Sequence, residues 1–183
     1  MTYRVIVDPE FGELGFKILK HGSLEPVQIA FKLFPDGEQY IRIDENISNE
    51  RVLYITTGYP NQDHQIFKAI LLSSTAKDLG AKEFSIIFAY FPYGRQDKRF
   101  LPGECISART VAETIIKAGC DKIISIDVHA EEVFSGLPFI NITSEELWAQ
   151  YVKTLEEPIL IAPDKGRLGF IKSVAEIASV TYT

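Results

Sequence analysis

Along the 183-residue chain, short runs dense in β-branched and aromatic residues alternate with longer stretches whose apolar positions recur every three or four residues. The short runs, Tyr3–Val7, Val27–Leu33, Tyr40–Ile43, Val52–Thr57, Phe84–Tyr90, Lys122–Asp127 and Ile159–Ala162, predict strands. Several are apolar at nearly every position, as expected of strands covered by helices on both faces. Helical spacing runs longest over Asp63–Leu79, where Ile66, Phe67, Ile70, Leu71 and Ala76 form one stripe expected to face inward and Gly80 closes the helix. Ser107 is an N-cap for a second helix, which turns Val111, Ala112, Ile115 and Ile116 inward and ends at Gly119. Leu147–Leu155 and Leu168–Ala178 predict two more. Alternation of this kind builds βαβ units, so the fold class is α/β, a mainly parallel sheet flanked by helices.

One part breaks the alternation. Val27–Leu33 and Tyr40–Ile43 are joined by Phe34-Pro35-Asp36-Gly37-Glu38-Gln39, which predicts a tight turn in an antiparallel hairpin that projects from the domain. The weakest stretch, Thr143–Glu146, divides the chain into a first domain at 1–144 and the start of a second at 145–183. A piece of roughly 40 residues seldom holds a core of its own. Val180–Thr183 reads as one more strand, so the second domain is expected to be incomplete here and to continue beyond Thr183.

Composition narrows the function classes. Hydrophobic residues at 46% and charged residues at 24% describe a chain that buries a core rather than a disordered one. A formal charge of −6 opposes a sequence-independent grip on nucleic acid, so any phosphate chemistry has to be local. No apolar run approaches the ~20 residues that cross a bilayer. Met1–Asp8 lacks the pattern of a signal peptide, and the reading is cytoplasmic with no membrane partner. Cys105 and Cys120 belong to no Cys-x-x-Cys pair and are expected to be buried or half-buried fillers.

Four polar clusters follow or join predicted strands, and open α/β sheets gather their ligands at strand ends. Neither Gly-rich nucleotide signature is present, so a nucleotide would have to be held in another way. Phe34-Pro35-Asp36-Gly37-Glu38 reads either as a plain turn or as a stacking ring beside two carboxylates for a base and a ribose. Phe91-Pro92-Tyr93-Gly94-Arg95-Gln96-Asp97-Lys98-Arg99-Phe100 reads either as a solvated loop or as a polyphosphate site with forked Arg donors and a Lys point charge. In Ile126-Asp127-Val128-His129-Ala130, a lone His is most often structural. If strand geometry persists, however, Asp127 and His129 point the same way and one can orient the other on a divalent metal. Pro163-Asp164-Lys165-Gly166 reads as a strand-to-helix turn that delivers one acidic group to the crevice.

Taken in order, Phe34-Pro35-Asp36-Gly37-Glu38, Tyr93-Gly94-Arg95-Gln96-Asp97-Lys98-Arg99, Asp127-Val128-His129-Ala130 and Pro163-Asp164-Lys165-Gly166 resemble the ribose-phosphate pyrophosphokinases, in wording closest to archaeal members. The resemblance implies a pair of phosphoribosyltransferase-like domains acting on ATP and ribose 5-phosphate. It implies ATP binding by Asp36, Gly37, Glu38, Arg95, Gln96, Asp97 and Lys98, with Phe34 stacking near the adenine. Mg²⁺ would be held by His129 and Asp164, with Asp127 behind them. The hairpin would reach the active site of a neighbouring subunit, which implies a homodimer or larger homo-oligomer. The family's flexible catalytic loop and its acidic ribose-phosphate loop have no counterpart in residues 1–183, so catalytic side chains are expected elsewhere and these residues alone are expected to be inactive. A noncatalytic regulatory homologue is disfavoured by the intact Arg95-Gln96, His129 and Asp164. A phosphoribosyltransferase would need the missing acidic loop. A nucleic-acid module built on Arg95, Lys98 and Arg99 conflicts with the net charge.

Overall fold

The computed structural model describes residues 3–183, which cluster into two compact units, one ending at Asn141 and one spanning Ile142–Thr183. In the first unit a six-stranded sheet has the order β2-β1-β5-β6-β7-β8, from Glu25–Pro26, Arg4–Val7, Arg51–Thr56, Glu83–Phe88, Lys122–Ile126 and Phe139–Ile142. The pairs β1·β2, β1·β5, β5·β6 and β6·β7 are all parallel, with Val5 opposite Leu53 and Val52 opposite Phe84. The near-continuous apolar runs follow from this arrangement: Val5, Ile6, Val52, Tyr54, Phe84, Ile86, Phe88 and Ile123 are buried on both faces of the sheet. Each such side chain contributes about 1.5–3 kcal/mol through removal from water.

Three helices accompany the sheet: α1 (Gly12–Gly22), α2 (Gln62–Asp78) and α3 (Ser107–Lys117). Helix α3 sits as its spacing predicts, with Ala108, Ala112 and Ile115 buried and Val111 and Ile116 packed against the same core. Gly119, just past its end, has φ +118, and a Cβ there would lie 3.1 Å from the Ser73 carbonyl on α2, which is why the closing residue is glycine.

Helix α2 is rotated from the expectation. Its buried face carries Gln65, Lys68, Ala69, Leu72, Ser73 and Ala76. Of the predicted stripe only Ala76 is buried, Ile66, Ile70 and Leu71 are half-buried, and Phe67 is 52% exposed. The cause is polar demand from the sheet. Asp8, directly after β1, is buried and takes Lys68 Nζ at 2.8 Å, while Thr56, at the end of β5, donates to Gln65 Oε1 at 2.9 Å. A buried carboxylate without such a partner would cost several kcal/mol, and the face that supplies Lys68 and Gln65 still buries Ala69, Leu72 and Ala76.

Helix α1 and strand β8 were not foreseen. In α1 the glycines mask helical propensity, but Gly15 is required by contact: a Cβ would come within 2.2 Å of Val7 Cγ1. The predicted hairpin is present as a separate two-stranded antiparallel sheet of β3 (Ile29–Leu33) and β4 (Gln39–Ile43), with Ile29 opposite Ile43 and Leu33 opposite Gln39. Ile29, Phe31, Ile41 and Ile43 pack against the main core, whereas Leu33 and Phe34 at the far end are exposed. Cys120 is buried, and burial pushes its thiol up to about 12. Cys105 is exposed on the loop before α3, contrary to the expected filler role.

The second unit holds α4 (Glu145–Val152), β9 (Ile159–Leu160), α5 (Leu168–Ala178) and β10 (Thr181–Tyr182). Strand β10 pairs with β9 in parallel, and Ala149, Val152, Val174 and Ala178 form a small core. No helix among the described residues is long and apolar enough to cross a membrane.

Candidate functional site

The turn that follows β6 stands on an aromatic base. Phe91 is buried and meets Phe88, Phe134 and Phe139 edge-to-face at 5.6, 5.0 and 5.2 Å, while Phe134 and Phe139 stack at 3.8 Å. Each such pair contributes about 0.5–1.5 kcal/mol beyond area burial. With Pro92 also buried, the polar residues that follow leave from a fixed point. Gln96 N–H then donates to the Tyr93 carbonyl at 3.1 Å, and Ala108 N–H, in the first turn of α3, donates to the Gln96 carbonyl at 3.2 Å.

A second loop, between β5 and α2, clasps this turn. Gly58 N–H donates to the Tyr90 carbonyl at 2.8 Å, and a Cβ on Gly58 would lie 2.8 Å from that oxygen and 2.9 Å from Pro92, so only glycine permits the approach. Tyr93 holds φ +57 and is tied at both ends: its N–H donates to Gln62 Oε1 at 2.6 Å and its hydroxyl donates to Asp63. The Asp63 carboxylate raises the Tyr93 phenol above its ordinary range by accepting that hydrogen bond. Between the two loops opens a groove of about 220 Å³ lined by Gln62, Tyr90, Tyr93, Gly94, Arg95 and Gln96. It adjoins one of about 460 Å³ lined by Pro60–Asp63, His64 and Tyr93. Arg95 is exposed at this groove and Gln96 half-exposed.

The neighbouring residues of the run behave differently. Lys98 is exposed, with its ammonium 5.1 Å from the centre of the Phe100 ring. Arg99 Nε donates to the Glu104 carbonyl at 2.8 Å, and Glu104 Oε2 accepts from Phe100 N–H at 2.7 Å and Leu101 N–H at 3.0 Å, which closes residues 99–104 on themselves. Asp97 turns inward. Its side chain is 5% exposed, and its Oδ2 lies 2.8 Å from Nδ1 of His129 on the loop after β7.

His129 is otherwise open, its side chain 64% exposed. The expected strand alternation from Asp127 to His129 does not persist, because β7 ends at Ile126 and Asp127 takes a left-handed φ of +48. The carboxylate seen on the imidazole therefore comes from Asp97, 32 residues upstream. No motif spacing signals that pairing; it follows from β6 and β7 being parallel neighbours, so that their C-terminal loops meet.

The other two predicted clusters sit on exposed turns. Phe34, Asp36, Gly37 and Glu38 occupy the exposed hairpin tip, where Asp36 Oδ1 accepts Glu38 N–H at 3.1 Å and Gly37 has φ +94. Phe34 packs edge-on to Tyr40 at 5.9 Å with Lys32 over both rings. Asp164 lies exposed on the turn between β9 and α5 in the second unit, accepting Arg167 N–H at 3.0 Å. Among the described residues no group of three or more His, Cys, Asp or Glu side chains is placed to hold a metal unaided.

Residues 5–119 match the family described as the N-terminal domain of ribose phosphate pyrophosphokinase. The chain is 42% identical over 159 residues to a ribose-phosphate pyrophosphokinase of Methanobrevibacter smithii, an alignment covering 85% of this chain and 53% of that protein. It is 38% identical over 151 residues to one of Methanothermobacter thermautotrophicus, covering 81% and 53%. The chain thus spans about half the length of the curated relatives it matches. Its fold is similar to the crystal structure of a phosphoribosylpyrophosphate synthetase from Mycobacterium smegmatis, with a TM-score of 0.88 at 23% identity over 100% of this chain and 63% of the other.

Proposed function

Because more than half of its residues match that N-terminal domain, the chain belongs to the ribose-phosphate pyrophosphokinase family, and we propose that it supplies the ATP side of a diphosphoryl transfer to the C1 hydroxyl of ribose 5-phosphate, giving phosphoribosyl diphosphate and AMP. The observation that carries this reading is the groove at the ends of β5 and β6, where Arg95 and Gln96 are held out by a rigid double loop beside an exposed imidazole. Arg95 offers forked donors to phosphate oxygens, and Gln96 and Lys98 add further donors. Phosphoryl transfer of this kind depends on alignment and charge neutralisation, and pre-set donors accomplish both.

The donor set suits magnesium carried by a nucleotide. His129 presents a ring nitrogen outward while Asp97 holds the other, and magnesium accepts sparse protein ligation because it keeps waters and phosphate oxygens. We assign His129 and Asp164 as its protein ligands. When bound, the metal would supply neutralisation of the phosphate charge. Phe34, Asp36, Gly37 and Glu38 stand on an exposed tip, which supports the reading that they serve the nucleotide site of a neighbouring subunit in a cytoplasmic homodimer or larger homo-oligomer.

Calorimetric titration of the chain with ATP, with and without Mg²⁺, tests the proposal. Saturable, Mg²⁺-dependent binding in the range ~1 μM–1 mM in which enzymes meet substrates is expected. Absence of binding across that range removes the assignment.

A further inference from the structure

Asp97 is the most deeply buried member of the polar run after β6, and its position is unusual for a residue expected to touch a nucleotide. Arg95, Lys98 and Arg99 on either side of it are exposed. Its Oδ2 meets His129 Nδ1 at 2.8 Å, and its Oδ1 is buried without a hydrogen-bond partner. A buried carboxylate costs free energy, so one oriented contact at this site has to carry its placement. The residue just before it is pinned at both backbone groups, Gln96 N–H donating to the Tyr93 carbonyl and the Gln96 carbonyl accepting from Ala108 N–H, which fixes where Asp97 leaves the turn.

An ionised carboxylate only accepts hydrogen bonds, so it can face Nδ1 only when Nδ1 carries the proton. In a neutral imidazole the lone pair then resides on Nε2, and the ring's exposure leaves Nε2 available to a ligand. Histidines that bind metals are commonly set in this way, by a carboxylate on the other ring nitrogen. Asp127, the nearer acid in sequence, follows the end of β7 with a left-handed φ of +48, and the carboxylate seen 2.8 Å from Nδ1 is that of Asp97.

We propose that Asp97 is a positioning residue, which fixes His129 as the Nδ1–H tautomer so that Nε2 faces the divalent cation of a bound nucleotide. The proposal rests on the assignment of His129 to that cation, and it removes Asp97 from the residues that contact ATP directly.

The test is ¹⁵N NMR of the chain labelled at histidine, without metal and at a pH where imidazole is neutral. Only three histidines are present, so His129 is identified by the signals lost in His129→Gln. The wild-type ring should show a protonated Nδ1 and a bare Nε2. In Asp97→Asn, which keeps the shape, the amide can donate to Nδ1, and the proton should move to Nε2. A wild-type ring with bare Nδ1, or an Asp97→Asn ring unchanged from wild type, overturns the proposal, and the wild-type spectrum decides alone should the variant fail to fold. Mn²⁺ added with ATP then separates the two claims. It should broaden the His129 signals in wild type, and Asp97→Asn should need roughly 10–100-fold more Mn²⁺ for the same effect, the usual cost of losing such a partner. Absent broadening of His129 in wild type defeats the metal assignment while leaving the tautomer result standing, whereas equal Mn²⁺ demand in the two proteins defeats the role given to Asp97.

Discussion

The ends of β1 and β5 and the ends of β6 and β7 lie along one edge of the same sheet and carry similar side chains, yet they are built to opposite purposes. At β1 and β5, Asp8, Tyr54, Thr56, Gln65 and Lys68 are all buried and largely satisfy one another. Lys68 also reaches Glu10 at 3.5 Å and lies over the Phe31 ring of the hairpin at 5.2 Å. Burial pushes the Tyr54 phenol well above its ordinary range, and the Asp8 charge adds to that. At β6 and β7 Asp97 and Ser125 are buried, and Arg95, Lys98 and His129 face solvent. Polar residues at a strand end are thus no signal by themselves. What separates a structural node from a binding site is whether the donors find partners inside the chain.

Breaking the closed node should produce the largest effect. Lys68→Met leaves Asp8 buried and without its cation, and urea unfolding should show a loss of about 3–5 kcal/mol. Adding Asp8→Ala should recover part of it, since removing both charges is far less costly than stranding one. A single variant as stable as wild type would place Asp8 in contact with water. At the open end, Arg95→Ala should leave stability within about 0.5 kcal/mol, as is usual for exposed side chains. It should weaken ATP binding by about 10–100-fold, the worth of a charge-assisted hydrogen bond. Titration showing unchanged ATP affinity would detach Arg95 from the phosphates.

The smallest expected effect lies in the clasp between the two loops. The Tyr93 phenol is raised in the folded chain, so its bond to Asp63 contributes fully below the unfolded value of ~10 and is lost as pH climbs through the folded one. Asp63→Asn should bring Tyr93 ionisation back toward that ordinary value. The difference in tyrosinate absorbance between the two proteins should peak just above pH ~10. Superimposable curves would mean the bond is not formed in solution.

Much of the first unit could be read from the sequence because buried parallel strands write themselves as apolar runs, and because Gly80 and Gly119 mark helix ends at φ +75 and +118. The hairpin was legible for the same reason, its turn requiring Gly37 at φ +94. Other features depend on partners distant in sequence. Helix α2 could not be oriented from its own pattern, since the buried position of Lys68 is set by Asp8, 60 residues away. Helix α1 was hidden by a glycine whose reason is Val7. In the site, Arg95, Gln96 and His129 announced themselves by type and by following a strand, but the roles of Asp97 and Asp127 depended on a backbone that leaves the strand at Ile126.

The two thiols differ in a way that can be put to use. Alkylating reagents attack thiolate, which the buried Cys120 scarcely forms, whereas Cys105 is open to solvent on the segment joining the Arg95 turn to α3. A maleimide dye or spin label will therefore attach at one place without any engineered cysteine, and it will report on the segment that leads from the groove into α3.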